Sequence, residues 1–454
     1  MGVFSIWLTI LAAAWPGQAT QPAVSLGPIC VDGEMGFSIR PPADAQLLRH
    51  GPDEPGQRPT LFQLVSFPIQ RRGWNLAVQV MRTAPGEPIA DSAERIVERT
   101  VEHLGLTLLD RRPQQVDGRD AVRLSARGPF AGSQIHLLSA VVAATETRCF
   151  VVEFSGPAAD VAELEATFEA ILGNFRVLIT SRDEAALRQA SQAAVALLPS
   201  IVAQGMADRL APTSYYRLLS DGKDVGYMVV SEQARSVRKA EGVQIVERGW
   251  LFESTGDIKR VENDLFVSND LTQERWVNRV HQIGVATQQR SRGYALTQVE
   301  GVRQHDTLLV SHSAGPAPTL SGDKAFELPG DYISQAMIRL LPRFLVDSKT
   351  QPLAFTCYDT QGGALLTRRY DPIGWNVIEL DGKSVSAYRL EDRLGLTAEP
   401  AVMWVDRQGR LLRVRTGPID MILTDKSRID LLYETRRAEA EAALTQSIDA
   451  ARKR

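Results

Sequence analysis

What this chain of 454 residues lacks narrows it first. Histidine numbers only 6 and cysteine 3. No Cys-x-x-Cys pair, His-Glu-x-x-His helix, Gly-x-Ser-x-Gly elbow or Gly-x-Gly-x-x-Gly loop occurs, so the signatures of zincins, α/β-hydrolases and dinucleotide-binding folds are missing. Gly382-Lys383-Ser384 has the end of a phosphate loop, but Val377 stands where the first glycine must be. A surplus of one charge is missing too, with Lys plus Arg 51 against Asp plus Glu 54 and a net charge of −3. Such a balance offers no groove for nucleic acid and no pull toward an anionic membrane surface.

One long apolar run exists, from Val3 to Trp15, followed by Pro16, Gly17, Gln18 and Ala19. It reads as a secretory signal cut near Ala19, too short for a membrane span of ~20 residues. The mature chain would then be periplasmic or extracellular, with no transmembrane segment. No Lys or Arg precedes the run, so a misplaced start or an uncleaved anchor stays open. In an exported chain three cysteines leave one over. Cys30 and Cys149 fall in the same half, and a disulfide between them would contribute about 4–5 kcal/mol for a loop of ~100 residues. Cys357 reads as a buried strand thiol, since no histidine or nucleophile signature surrounds it.

Residues 28–178 alternate strands and helices. Leu76, Val78 and Val80 alternate with polar neighbours as a strand, and Asp91 or Ser92 caps a helix whose Ala93, Ile96, Val97, Val101 and Leu104 recur at three and four. Further strands flank the Asp117-Gly118 turn, and a second helix runs through Val161, Leu164, Phe168, Ile171 and Leu172. The expected product is an antiparallel sheet with helices packed on it. Three segments, Gly36-Phe37-Ser38-Ile39-Arg40-Pro41, Gly118-Arg119-Asp120-Ala121-Val122-Arg123-Leu124 and the closing helix ending Asn174-Phe175, make this region resemble the PsbP-like exported α/β/α sandwich domains. That resemblance implies a binding or assembly domain and brings no catalytic residue with it.

Residues 181–210 read as a helical connector with an apolar stripe interrupted at Pro199, packed as a rigid joint. Residues 213–420 are mostly long strands broken by one helix, Tyr332 to Leu341, and residues 427–454 form a C-terminal helix. Asp221-Gly222-Lys223 and Asp381-Gly382-Lys383 repeat the same turn chemistry. The fold class expected is α+β: the sandwich, the connector, then a large antiparallel curved sheet or open β-barrel. Tyr215-Tyr216-Arg217-Leu218, the Asp221 turn and Val225-Gly226-Tyr227-Met228 are similar to envelope proteins of the LolA/LolB type, which implies an open half-barrel cradling lipid chains. This chain departs from that type in its strand arginines, Arg275, Arg279, Arg290, Arg292, Arg368, Arg369, Arg413 and Arg415. Arginines facing the concavity would argue against a purely acyl ligand.

His305, Asp306 and His312 come nearest to a metal cluster, but on one strand His305 and His312 face opposite sides, and Asp306 lies roughly 20 Å from His312 at ~3.3 Å per residue. No metal and no cofactor is expected. The candidate binding residues are Trp250, Trp276, Tyr294, Trp375 and Trp404, as core or as the walls of an apolar pocket. The chain thus reads as a non-enzymatic envelope protein, its β-rich domain binding a lipid or other apolar small molecule, or an envelope protein. A hydrolase site built from His281, His305 or His312 with carboxylates is the alternative; a purely structural or assembly role is the third.

Overall fold

The structure, a computed structural model, describes residues 25–452 except 34, 52–60, 66–72, 85–86, 103, 131–132, 212, 254–255, 285–293, 316–318, 347–350, 361–362 and 396–397. The expected signal at residues 1–19 lies outside the described residues, as do Arg290 and Arg292. The chain divides into two units, Met1–Arg188 and Gln189–Arg454.

In the first unit, β1 (Cys30–Asp32), β2 (Phe37–Ile39), β3 (Gln46–Gly51), β4 (Leu61–Val65) and β5 (Asn75–Arg82) precede α1 (Ile89–Ile96). Then come β6 (Thr107–Val116), β7 (Arg119–Phe130), β8 (Ser133–Thr145), β9 (Arg148–Pro157), α2 (Val161–Gly173) and β10 (Arg176–Val177). Seven strands form an antiparallel sheet in the order β3-β4-β5-β9-β8-β7-β6, while β1, β2 and β10 form a small second sheet. Asp117 and Gly118 both take positive φ, 55° and 69°, the geometry a two-residue hairpin turn between right-twisted strands requires. The α1 helix starts earlier than its capping residues suggest and passes at Val97 into a wider π turn, Val97–Glu102.

Strand alternation sorts the core of this unit into two layers. Phe150, Val152 and Phe154 of β9 pack with Phe37 and with Leu164, Phe168 and Ile171 of α2, whereas Cys149 and Val151 pack with Ala93 and Ile96 of α1. Cys30 packs against the first layer. The two cysteines therefore lie against opposite faces of the seven-stranded sheet, and both carry free thiols. The disulfide expected between them is not formed, because period-two alternation turns Cys149 away from the small sheet that carries Cys30.

The unit boundary falls inside α3 (Ser181–Gln204), which runs through Pro199 without breaking. The second unit continues with β11 (Thr213–Ser220), β12 (Lys223–Val237), β13 (Ala240–Phe252), β14 (Ile258–Ser268), β15 (Gln273–Ile283), β16 (Tyr294–Gln304), β17 (Thr307–Gly315) and β18 (Thr319–Glu327). After α4 (Gln335–Leu340) and α5 (Pro342–Leu345) come β19 (Leu353–Asp359), β20 (Ala364–Leu380), β21 (Lys383–Leu394), β22 (Ala401–Val405), β23 (Leu411–Thr416), β24 (Ile419–Thr424) and α6 (Lys426–Arg452). All fourteen strands join one antiparallel sheet that runs from β18 back to β11, crosses to β24 and returns to β19. Every pairing except β11–β24 is between chain neighbours, so local hairpins build it. The sheet ends at β18 and β19 and stays open, the large curved sheet that the strand spacing predicts.

This sheet curls around the two short helices. Met337, Leu340, Leu341, Phe344 and Leu345 share one core with Val243 and Ile245 of β13, Trp276 of β15, Val310 of β17, Phe355 of β19, Tyr370 of β20 and Val405 of β22. The helix expected over 332–341 is present as Gln335–Leu340, and a second short helix the sequence did not announce follows at Pro342, a residue that fits a helix start but not an interior. On the other face, Ile429, Tyr433 and Leu444 of α6 cover Tyr227, Trp250 and Phe252.

Candidate functional site

The five aromatic residues expected to bind ligand do not meet. Trp250 stacks on Phe252 under α6, with ring centroids 6.4 Å apart. Tyr294 bonds His281, Oη to Nδ1 at 3.0 Å, beside the same cluster. Trp276 is wholly buried on the concave face, 5.6 Å from Tyr358. Trp404 lies under the Arg413 guanidinium at 5.5 Å, and Trp375 is 47% exposed beside Tyr388. Alternation sends the members of this set to both faces of the sheet, so they do not line one common space. The histidines are equally dispersed. His281 is beside α6, His312 bonds the Tyr358 hydroxyl at 3.1 Å on the concave face, and His305 is a turn residue at φ 56° rather than a strand residue. Among the described residues no three His, Cys, Asp or Glu could hold a metal ion.

What the fold assembles instead begins with the anchoring of α4. Glu274, on β15 beside Trp276, accepts from the Tyr332 hydroxyl at 2.8 Å and from the Gln335 backbone N–H at 2.9 Å. Burial pushes its carboxyl up to about 7 against those two bonds, which favour the charged form. Ser334 caps the helix by accepting from the Met337 N–H at 3.1 Å. The unpaired edge of β19 is covered by the same segment. Thr356 N–H donates to the Asp331 carbonyl, Ile333 N–H donates to the Thr356 carbonyl, and Gln335 Nε2 donates to the Tyr358 carbonyl. An edge strand that would otherwise offer free backbone groups is closed by the chain itself.

Above α4, between β14–β15 and β19–β21, lies a cavity of about 210 Å³. None of the five predicted aromatic residues lines it. Asn263, Asn278, Gln335, Arg339, Asp359 and Arg368 supply its polar wall, and Leu265, Ile338, Cys357 and Leu394 its apolar one. Arg368 donates from Nε (2.8 Å) and Nη2 to the Asp392 carboxylate. Arg339 grips Glu247 in the same way, with Nε at 2.8 Å and Nη2 at 3.1 Å, and Asn263 Nδ2 reaches the same carboxylate at 2.7 Å. Asn278 Oδ1 is buried with no hydrogen-bond donor. Arg368 belongs to the strand arginines that the sequence marks as hostile to an acyl ligand. The asparagines and Arg339 carry no such sequence signal, because only the curling of the sheet around α4 brings them together.

No family model and no curated protein matches the sequence. Among solved structures, a cyanobacterial PsbP from Synechocystis is similar at 14% identity, over 36% of this chain and 98% of its own, with a TM-score of 0.28. LpqN, involved in cell envelope biogenesis of Mycobacterium tuberculosis, is similar at 10% identity over 32% and 83% of the two chains, with a TM-score of 0.25. A β-barrel-like protein of a domain of unknown function from Brucella abortus is similar at 13% identity over 47% and 95%, with a TM-score of 0.33. These structures thus include a PsbP, the family that residues 28–178 are read as resembling. At these identities and scores, none of the likenesses carries a ligand, partner or activity over to this chain.

Proposed function

We propose that this is an exported, non-enzymatic binding protein whose second unit holds a small polar molecule in the cavity above α4. The observation that carries the reading is that two arginines whose positions are fixed by carboxylates, Arg339 by Glu247 and Arg368 by Asp392, line one cavity together with Asn263, Asn278 and Gln335. The apolar concave face is occupied by α4 and α5, which weighs against a lipid chain as the ligand. A volume of about 210 Å³ is also below the range of ~300–1,000 Å³ that takes drug-sized ligands. The test is mass spectrometry of small molecules retained by the protein purified from its native envelope, compared with an Ile338→Phe variant that fills the cavity. A polar compound held by the natural protein and lost from the variant supports the reading; stoichiometric lipid, or no retained compound, rejects it.

A second reading, a protein partner, has its own observation. Beyond the pairings of β19 and β22, the β20–β21 ribbon exposes Ile373 (51%), Trp375 (47%) and Val377 (69%). Exposed aromatic and branched residues in a row are a usual feature of interfaces. Trp375→Ser with Val377→Ser would then abolish a complex that cross-linking in the envelope detects, without changing what the cavity retains.

A further inference from the structure

We infer that the free edge of β20 pairs with the same edge of a second copy of this chain, antiparallel and about a twofold axis at Val377. This rests on the protein-partner reading above and names the partner. The first observation is where the ladder ends. β19 pairs with β20 only from Asp359–Ala364 to Leu353–Tyr370, whereas β21 follows β20 on to Leu380. Among the described residues, no other strand and no other backbone hydrogen bond reaches β20 from Asp371 to Leu380. The turn fixes which groups are left over. Asp381 and Gly382, at φ 48° and 75°, form a two-residue hairpin loop, so Leu380 and Lys383 are a hydrogen-bonded pair and the kind of pair alternates from there. Ile378 and Asn376 therefore bond β21, while Trp375, Val377 and Glu379 turn both N–H and C=O to the open side. The ribbon is held in place, because Ile378 and Ala387 pack with Leu412 and Trp404.

The second observation is the lack of guarding. The edge strand β6 of the first unit carries Asp110, Arg111, Arg112 and Pro113, residues of the kind that natural edges use against pairing. From Trp375 to Leu380 there is no proline, lysine or arginine, and Glu379 is the single charge. An extended strand is the partner that such an edge takes. The third is that the segment matches itself. Antiparallel pairing of identical edges closes on a twofold axis and leaves no further edge to propagate. An axis at Val377 sets Val377 against its own copy and Trp375 against Glu379, with each facing pair exchanging both backbone bonds. At Glu379 the axis would bring two carboxylates face to face, and at Trp375 it would run the second strand into the bulge at Pro372–Gly374. Charge and register thus leave Val377 as the centre.

The experiment is sedimentation velocity of the full-length mature protein from low to high micromolar concentration. A monomer–dimer equilibrium is expected for the natural protein, and Val377→Lys, which sets two ammonium groups face to face on the edge, should return it to monomer. Register is read by cysteine cross-linking with copper phenanthroline in a Cys30→Ser background, since Cys149 and Cys357 are buried. Val377→Cys should form a covalent dimer, because facing Cα atoms ~5.5 Å apart lie within disulfide range. Trp375→Cys should not, its two copies being offset by the Trp375-to-Glu379 distance along the strand, ~13 Å; Trp375→Cys with Glu379→Cys should. The sedimentation of the natural protein does not depend on any variant folding. A monomer at every concentration, a dimer that Val377→Lys leaves intact, or cross-linking at Trp375→Cys alone overturns the self-pairing. The partner reading is judged separately: it stands if Trp375→Ser with Val377→Ser removes a different protein from the complexes cross-linked in the envelope, and falls if no complex depends on the ribbon.

Discussion

The Trp276 indole lies across Gly301, its partner on the neighbouring strand, in the space a side chain would take. A Cβ placed on Gly301 would be 2.1 Å from the indole Cε2. This glycine serves close approach, not backbone freedom, and Trp276 in turn stacks on Tyr358 at the seam between β18 and β19. Gly301→Ala is expected to force the ring out of a fully buried position and cost about 1–3 kcal/mol or more, as overpacking does. The urea midpoint of the second unit measures it; a midpoint equal to the natural protein's would mean the ring moves aside freely.

Arg343 and Glu232 make the most deeply buried ion pair of the second unit among the described residues, each side chain 6% exposed and both guanidinium–carboxylate bonds 2.6 Å long. Arg343 also donates to the Arg209 carbonyl at 2.7 Å, and Arg209 returns a bond to the Arg343 carbonyl at 2.6 Å. Removing one partner leaves a buried charge uncompensated, so Glu232→Leu alone should cost about 3–5 kcal/mol. Glu232→Leu with Arg343→Met should recover most of that loss. A double-mutant cycle in guanidinium unfolding decides it, and equal losses in the single and double variants would refute the coupling.

Glu274 makes the anchoring of α4 sensitive to pH. Its carboxyl is raised from 4.5 to about 7 by burial in the folded state. A raised carboxyl binds its proton more tightly folded than unfolded. Its contribution is therefore complete below about pH 4.5 and is lost as pH rises through about 7. Glu153 in the first unit, also raised to about 7 by burial, adds a slope of the same sign. Stability measured between pH 4.5 and 8 should fall with rising pH more steeply in the natural protein than in Glu274→Gln. Identical slopes, with Glu153→Gln as the common background, would show that Glu274 does not titrate in this range.

The hairpins were readable because their signals are local. Asp221-Gly222 and Asp381-Gly382 each supply two consecutive residues at positive φ, and the turn residues predict the strands on either side. The cavity was not readable, because Asn263, Asn278, Arg339 and Arg368 are far apart in sequence and meet only when β14–β15 and β19–β21 close over α4. The aromatic set misled for a related reason. Composition counts tryptophans, but parity along each strand decides their face, and Trp250 on β13 and Trp276 on β15 turn to opposite sides of one sheet. Similarly, Cys30 and Cys149 share a domain but are separated by the sheet between them.

That separation has a chemical consequence. A bond between Cys30 and Cys149 would have to pass through the seven-stranded sheet, and disulfide geometry allows Cα atoms no more than ~7 Å apart. The thiols also differ in access. Cys30 is partly exposed, Cys149 and Cys357 are buried, and burial pushes the Cys149 thiol up to about 12, where the reactive thiolate is scarce. A maleimide reagent added to the native protein without reductant should therefore label Cys30 first. In denaturant it should reach all three cysteines, with the intact mass rising by three adducts. A single adduct in denaturant, restored to three by reductant, would mean that two cysteines pair and that the β9 alternation assigning Cys149 to the α1 side is wrong. Adding reductant should likewise leave the unfolding midpoint of the first unit unchanged, since no loop is closed there to be released.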